Sequence, residues 1–294
     1  MTKFRLFSDP HYLLNKRANE EYADEQFSRL DDGFDGVNLI AGDIGVSPEE
    51  VKEFCNVYLP NQKCVVVGGN HFLYGCLYPY EIVLEKYREL GDPYSDSNIV
   101  FLEREIIMCQ GDKTQYDPKA PVVFGANLYS NFLLNGVDKQ TKAMNDAELG
   151  VSDFRCNYFI PGSSYRGIIL PAYDMWKQFE YTLADIKMAY TRAQQKGNPF
   201  ILMTHFPVTP ESTEEKYKGS PLNPYFCSDL RQWIIENIPN TAFILQGHLH
   251  NRWQGKIEGN GVSIPVYQNP FGYISQNESY AEPEWDPKLI VEVK

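Results

Sequence analysis

The sequence predicts an α/β fold in which short buried strands end in polar, chemistry-bearing tips. Five apolar, β-rich runs each stop at a cluster of Asp, Asn, His or Gly. Helical patterns lie between them. After His250 the helices give out and strand patterns follow one another.

The strands are read as follows. Phe4–Ser8 leads into Asp9-Pro10-His11, Val37–Ala41 into Gly42-Asp43, and Cys64–Val67 into Gly68-Gly69-Asn70-His71. Phe200–Met203 leads into Thr204-His205, and Ala242–Leu245 into Gln246-Gly247-His248-Leu249-His250. Short continuous apolar runs bounded by turn residues read as buried strands.

Between them, Ser47-Pro48-Glu49-Glu50 is a capping box with proline at the first helical position, which predicts a helix to about Tyr58. Pro79–Leu90 reads as a helix closed by Gly91. Tyr173–Lys196 is the longest, closed by Gly197 with Pro199 beyond. Ser228 is expected to cap a helix running through Asn237, and Leu13–Leu30 is a weaker, charged helical pattern. Strands alternating with helices imply α/β architecture with ligands at strand carboxyl ends. Gly255–Ile257, Val262–Tyr267 and Leu289–Val293 read as strands of a second, more antiparallel sheet.

The stretch Leu128–Pro171 is rich in Asn, Tyr, Gly and Ser and lacks a period. So many aromatic side chains on an idle loop would be costly to expose, so it reads as a substrate-rim insertion at 128–171 within a single domain spanning 1–294.

Composition narrows the function classes. A net charge of −12 over 294 residues weighs against nonspecific binding to duplex nucleic acid. It leaves small anionic substrates open, because bound metal makes a site locally positive. No run is long enough to span a bilayer, and Asp9 comes too early for a signal peptide. A soluble, cytoplasmic protein with no membrane partner is expected. Cys55, Cys64, Cys76, Cys109, Cys156 and Cys227 form no CxxC pair and read as reduced thiols. The sequence does not specify an oligomeric state.

Taken singly, most of the tips are weak signals. Asp9-x-His11 is expected to place two ligand types on one side of an extended chain end. Gly42-Asp43 and Gly69-Asn70-His71 alone are turns, and a lone His205 is more often a satisfied histidine. His248-x-His250 directly after a strand suits metal binding. Together they run through the whole chain, each at a strand end, with all five histidines inside the pattern. One shared site explains this better than five separate turns.

The order Asp-x-His, Gly-Asp, Gly-Asn-His, His, Gly-His-x-His resembles the calcineurin-like metallophosphoesterases, in particular bacterial and phage-type members. Val123–Tyr129, Asn269-Pro270-Phe271-Gly272-Tyr273 and the closing Glu284–Val291 are similar to the same group, so the likeness covers essentially the full chain. The resemblance implies a four-layer α/β/β/α sandwich of two mixed sheets with a dinuclear metal site at strand carboxyl ends. It implies that Asp9, His11, Asp43 and His250 hold one metal. Asp43, Asn70, His205 and His248 would hold the other, and His71 would act beside the scissile phosphate without binding metal.

Such residues suit that chemistry. Two metals about 3.5–4 Å apart clamp the attacking and leaving oxygens of an in-line displacement, with a bridging hydroxide as the expected nucleophile. A set of nitrogen and oxygen ligands suits two divalent transition-metal ions, manganese first, with iron or zinc as alternatives. The expected reaction is hydrolysis of a phosphomonoester or phosphodiester of a small molecule or nucleotide. A nuclease on the same fold is the alternative. A non-catalytic metal-bound scaffold ranks below both, since the ligands and His71 are all present.

Three departures matter. Val46 stands where purple acid phosphatases place tyrosine. Gly42-Asp43-Ile44-Gly45 lacks the Asp-Arg-Gly continuation of the serine/threonine protein phosphatases. Phe72 follows His71 where an acid is usual. Arg155, Arg166, Lys218 and, foremost, Arg252 are candidate phosphate contacts. Phe72, Tyr74, Tyr129, Phe206, Trp253, Phe271 and Tyr273 lie near the motif tips; most are expected in the core, with a subset free to stack on a nucleobase.

Overall fold

In the computed structural model, which describes residues 1–74, 78, 80–91, 97–110, 117–156, 170–274 and 285–294, the strands sort into two sheets. In the first, β1 (Thr2–Phe7), β2 (Val37–Ile40), β3 (Lys63–Val66) and β4 (Ile99–Phe101) run parallel in that order. β11 (Ile290–Val293) pairs antiparallel with the other side of β1. The second sheet has the order β5 (Glu105–Met108), β6 (Val122–Ala126), β7 (Phe200–Thr204), β8 (Thr241–Gln246), β10 (Val262–Gln268) and β9 (Trp253–Gly259). Its four central strands are parallel and its two edge strands antiparallel.

The sheets pack face to face. Phe4, Leu6, Leu39, Val65 and Val100 meet Val123, Ile201, Met203, Phe243 and Leu245 in one core between them. The rings of Phe4 and Phe243 stand edge-on at 6.0 Å. The alternate side chains Phe7, Ile40, Val66, Phe124, Leu202 and Ile244 belong to the outer cores. Strands buried on both faces need apolar residues throughout, which is why these runs do not alternate.

Helices α1 (Tyr12–Ala18), α2 (Glu20–Ser28), α3 (Pro48–Tyr58) and α4 (Tyr80–Arg88) cover the first sheet, with Phe7, Tyr12, Phe27 and Phe54 interlocking beneath them. The second sheet is covered by α7 (Ala172–Lys196) and α9 (Arg231–Asn237). The short helix α5 (Gln140–Gly150) packs on α7, and α6 (Asp153–Cys156) and α8 (Asn223–Phe226) pack on α5. This is the expected α/β/β/α sandwich. Among the described residues no helix is long and apolar enough to cross a membrane.

Several boundaries follow from the predicted chemistry. Ser47 accepts the Glu50 N–H at the start of α3, although the Glu50 carboxylate returns to the Val46 N–H rather than to Ser47. α7 ends at Gly197, whose φ of 69° is left-handed.

Other expectations are corrected. Leu13–Leu30 is two helices, split where Asn19 turns extended and caps α2 through its side chain. Ser228 does not cap a helix; its hydroxyl accepts the Asn131 N–H, and α9 begins at Arg231. The supposedly irregular 128–171 stretch carries α5 and α6, while 157–169 lie outside the described residues. The second antiparallel sheet does not form. Instead β10 joins the free edge of β8, with β9 hydrogen-bonded beyond it, and β11 pairs with β1, so that two sheet edges are paired rather than left open.

A buried relay joins the sheets beside the strand tips. Glu103 Oε2 accepts the Asn127 N–H at 2.9 Å, and Asn127 Oδ1 accepts the Gly69 N–H at 2.7 Å. Burial lifts the Glu103 carboxyl from 4.5 to about 7, against the Asn127 N–H and the nearby Arg104. Because the folded value lies above the unfolded one, the unfolded chain releases its proton first. Stability is therefore lost as pH rises from 4.5 to about 7, by on the order of 3 kcal/mol. Glu103→Gln keeps the acceptor and removes the titration. Its melting temperature should exceed that of the wild type by a margin that grows between about pH 5 and 7 and then levels off. A margin constant over that range would contradict the assignment.

Candidate metal centre

The five polar tips meet at one face because β1, β2, β3, β7 and β8 all point their carboxyl ends there. The chain turns sharply at the tips. Asp9, His11, Asp43 and His248 adopt φ of 53°, 40°, 54° and 69°. The expected extended Asp-x-His end is therefore replaced by left-handed backbone on both sides of Pro10. Each such residue is strained by roughly 1–2 kcal/mol. Strain of this kind persists where the surroundings over-determine it. Here the tips are stitched together: Asp9 N–H donates to Gly42 O at 3.0 Å, His11 N–H to Asp43 O at 2.9 Å, and Gly247 N–H to His205 O at 2.9 Å.

The glycines of the motifs make this approach possible. Gly69 has φ 81°, and a Cβ there would stand 1.9 Å from Asp43 Oδ1. Gly69→Ala should therefore abolish metal binding as well as lower the melting temperature. Gly33, with φ 73° and nothing within 4 Å of a Cβ, is the control. Gly33→Ala should cost only about 1–2 kcal/mol. Equal effects of the two substitutions in thermal melts would contradict the steric reading of Gly69.

The seven predicted metal ligands and His71 come together. Ligand atoms fall into three overlapping groups, Asp9–His11–His250, Asp43–His205–His248 and His11–Asp43–His71, each within 4.8 Å. Asn70 joins the second group through its Oδ1, 2.9 Å from His205 Nε2. Asp43 Oδ2 is central, 3.5 Å from His205 Nε2, 3.8 Å from His71 Nε2 and 3.9 Å from His11 Nε2. Asp9 Oδ1 lies 3.6 Å from His250 Nε2 and accepts the His248 N–H.

This donor set fits bound metal. His248 Nε2 is buried without a hydrogen-bond partner. His11 Nε2 and His250 Nε2 face each other at 3.1 Å. His205 Nδ1 lies 2.8 Å from the Ala41 carbonyl, so it carries the proton and leaves the Nε2 lone pair for the centre. Two carboxylates, an amide oxygen and imidazole nitrogens suit manganese, iron or zinc.

Electrostatics agree. Burial holds His11 and His248 well below the usual imidazole range, so both are neutral and able to ligate. Burial pushes Asp43 up, but the neighbouring histidines, His205 first, outweigh it and keep the carboxylate ionised. Burial likewise lowers His205, and the attraction of Asp43 overrides it, lifting the imidazole to about 9, so a metal taken up at Nε2 would have to displace a proton there.

His71 stands apart from the other histidines in its partners. The Tyr273 hydroxyl lies 3.1 Å from its Nε2, and the Tyr74 ring stacks on it at 4.1 Å. Tyr273 also stacks on His11 at 4.3 Å. Beside them opens a cleft of about 490 Å³, with Asp43, Asn70, His71, His248 and His250 on one side and Tyr74, Val151, Leu222, Phe226 and Tyr273 among its other walls. Of the aromatics singled out in the sequence, only Tyr74 and Tyr273 line it. Phe72, Tyr129, Phe206 and Phe271 are core, and Trp253 is half-buried on β9.

Of the candidate phosphate-binding cations, Arg252 and Lys218 do not line the described cleft. Arg252 bonds Asp286, and Lys218 pairs with Glu215. Arg166 and the Arg155 side chain lie outside the described residues. Sequence reasoning missed Asp153, Tyr225 and Phe226, which belong to no motif and reach the site only through packing.

The whole-chain likeness is structural. A phosphopantetheinyl hydrolase from Mycobacterium tuberculosis matches with a TM-score of 0.60 at 17% identity, covering 92% of this chain and 90% of that one. The chain has the calcineurin-like metallophosphoesterase fold. A dimetal phosphatase from Danio rerio matches at TM-score 0.48 and 13% identity, over 92% of this chain and 87% of that one, and is too distant to add to the assignment. No protein-family model matches the chain, and no curated protein matches it in sequence.

Proposed function

We propose that the protein is a two-metal phosphoesterase acting on a phosphomonoester or phosphodiester of a small molecule or nucleotide. A fold alone does not set a reaction. The observation that carries the proposal is the convergence of three overlapping donor groups, two of them sharing Asp43, at the carboxyl ends of five strands. In this reading Asp9, His11, Asp43 and His250 hold one divalent ion, manganese first. Asp43, Asn70, His205 and His248 hold the other. Bound metal would offset phosphate charge and ease the ionisation of water.

The chain's own residues do the rest. His71 hydrogen-bonds the leaving oxygen from within the cleft. Tyr74, Leu222 and Phe226 take the organic part of the substrate, with Gly150–Asp153 forming part of the rim. The name of the mycobacterial neighbour, a phosphopantetheinyl hydrolase, supports a phosphoester with an extended organic group. A nuclease is weighed down by the net charge of −12, and the described cleft walls carry no Lys or Arg.

The test is a turnover screen of metal-depleted protein with and without Mn²⁺. Substrates are phosphomonoesters, cyclic nucleotides, dinucleotides, phosphopantetheine conjugates and single strands. Manganese-dependent hydrolysis of a small ester in preference to strands is expected. Faster cleavage of strands would favour the nuclease, and no turnover of any would remove the enzyme reading.

A further inference from the structure

We infer that Asp153 is a positioning residue of the centre, holding Asn70 with its carbonyl oxygen toward the metal; the inference rests on the two-metal reading above. Asp153 opens α6 and is only 4% exposed. Its Oδ2 accepts from Asn70 Nδ2 at 2.9 Å and from the Tyr225 hydroxyl, and its Oδ1 accepts the Tyr74 hydroxyl. Three donors, two from the tip after β3 and one from α8, converge on one buried carboxylate, so it acts toward all of them as an acceptor.

The chemistry of a primary amide makes the Asn70 contact directional. The group has an oxygen end and an NH₂ end of nearly the same shape, and only the oxygen binds a cation. Half a turn of the amide would present hydrogens to the centre. An acceptor on the far side selects one orientation, with Nδ2 toward α6 and Oδ1 toward His205 Nε2 at 2.9 Å. The same carboxylate braces two further residues. Tyr74 stacks on His71, and Tyr225 stands edge-on to Phe206, whose ring stacks on His248 at 4.1 Å. Position 72, where the family resemblance leads to an expected acid, is instead a core phenylalanine packed against Tyr80 and Tyr87. The carboxylate beside this motif comes from 83 residues beyond Asn70.

The experiment uses full-length protein and Mn²⁺, with the two binding constants resolved by competition against a chelator. Asp153→Asn should weaken the ion held by Asp43, Asn70, His205 and His248 by roughly 10–100-fold, the usual effect of losing an outer partner, and leave the other ion unchanged. The paired exchange Asn70→Asp with Asp153→Asn reverses donor and acceptor. It should bind that ion more tightly than Asn70→Asp alone, because one carboxylate oxygen then faces the metal while the other accepts from the amide at position 153. A merely structural role would leave the pair no better than N70D. Wild-type protein that takes up no manganese would sink the two-metal reading and this inference with it. Two ions on wild type and two of equal affinity on D153N would overturn the role of Asp153 alone. Should D153N not fold, a crystal structure of manganese-loaded wild type decides. The Asn70 oxygen on the ion with its nitrogen on Asp153 supports the inference. Asp153 on the ion, or turned to solvent, overturns it.

Discussion

Asp43→Ala should lose both metal ions and all but a residual trace of hydrolysis, whereas Asn70→Ala should weaken chiefly one ion. The difference follows from position. Asp43 Oδ2 stands within 3.9 Å of Nε2 on His11, His71 and His205, and belongs to two of the three donor groups. Removing it also leaves the His71 N–H, now 3.0 Å from Asp43 Oδ1, without its acceptor. Among the described residues the Asn70 side chain hydrogen-bonds His205 and Asp153. Elemental analysis of each variant, with turnover at saturating Mn²⁺, separates the two. Loss of one ion only from Asp43→Ala would show that the carboxylate does not bridge.

His71→Ala should leave metal content unchanged and lower turnover in proportion to how badly the leaving group needs a proton. The ring is placed for this by its stack on Tyr74 and by Tyr273, whose hydroxyl occupies the Nε2 hydrogen-bonding position at the cleft. A nitrophenolate departs readily, so a nitrophenyl ester should lose little. For an alkyl or ribose leaving group the loss in kcat/KM should approach the roughly 10²–10⁴-fold usual for general acid–base catalysis. An equal loss on both esters would mean that His71 only positions phosphate. A lost metal would make it a ligand, a role that its 3.8 Å distance from Asp43 Oδ2 equally permits.

Much of the candidate site was legible in the sequence because its donor side chains sit at turns, where residue type is tightly constrained. Gly42 and Gly69 carry φ of 96° and 81° that favour glycine, and the apolar runs before them are doubly buried strands. What escaped was whatever depends on tertiary packing. β4, β5 and β6 end in none of the five histidine- or aspartate-bearing tips that marked the equally short β2, β3 and β7. α5 was hidden by its polar, weakly patterned sequence, of which only Ala143 and Ala147 are buried. Asp153 and Tyr225 reach Asn70 and Phe206 from distant parts of the chain, and no local motif marks such contacts. Asp9-x-His11 was legible as a pair of donors but not as a left-handed turn, because its conformation is imposed by backbone hydrogen bonds to Gly42 and Asp43.

Anomalous diffraction at the manganese edge from a crystal of the wild-type protein grown with Mn²⁺ tests the two-metal centre most directly. Two peaks are expected on either side of Asp43, one among Asp9, His11 and His250 and the other among Asn70, His205 and His248, with His71 bound to neither. No peak at the strand tips, or a single peak ligated by His71, would contradict the account.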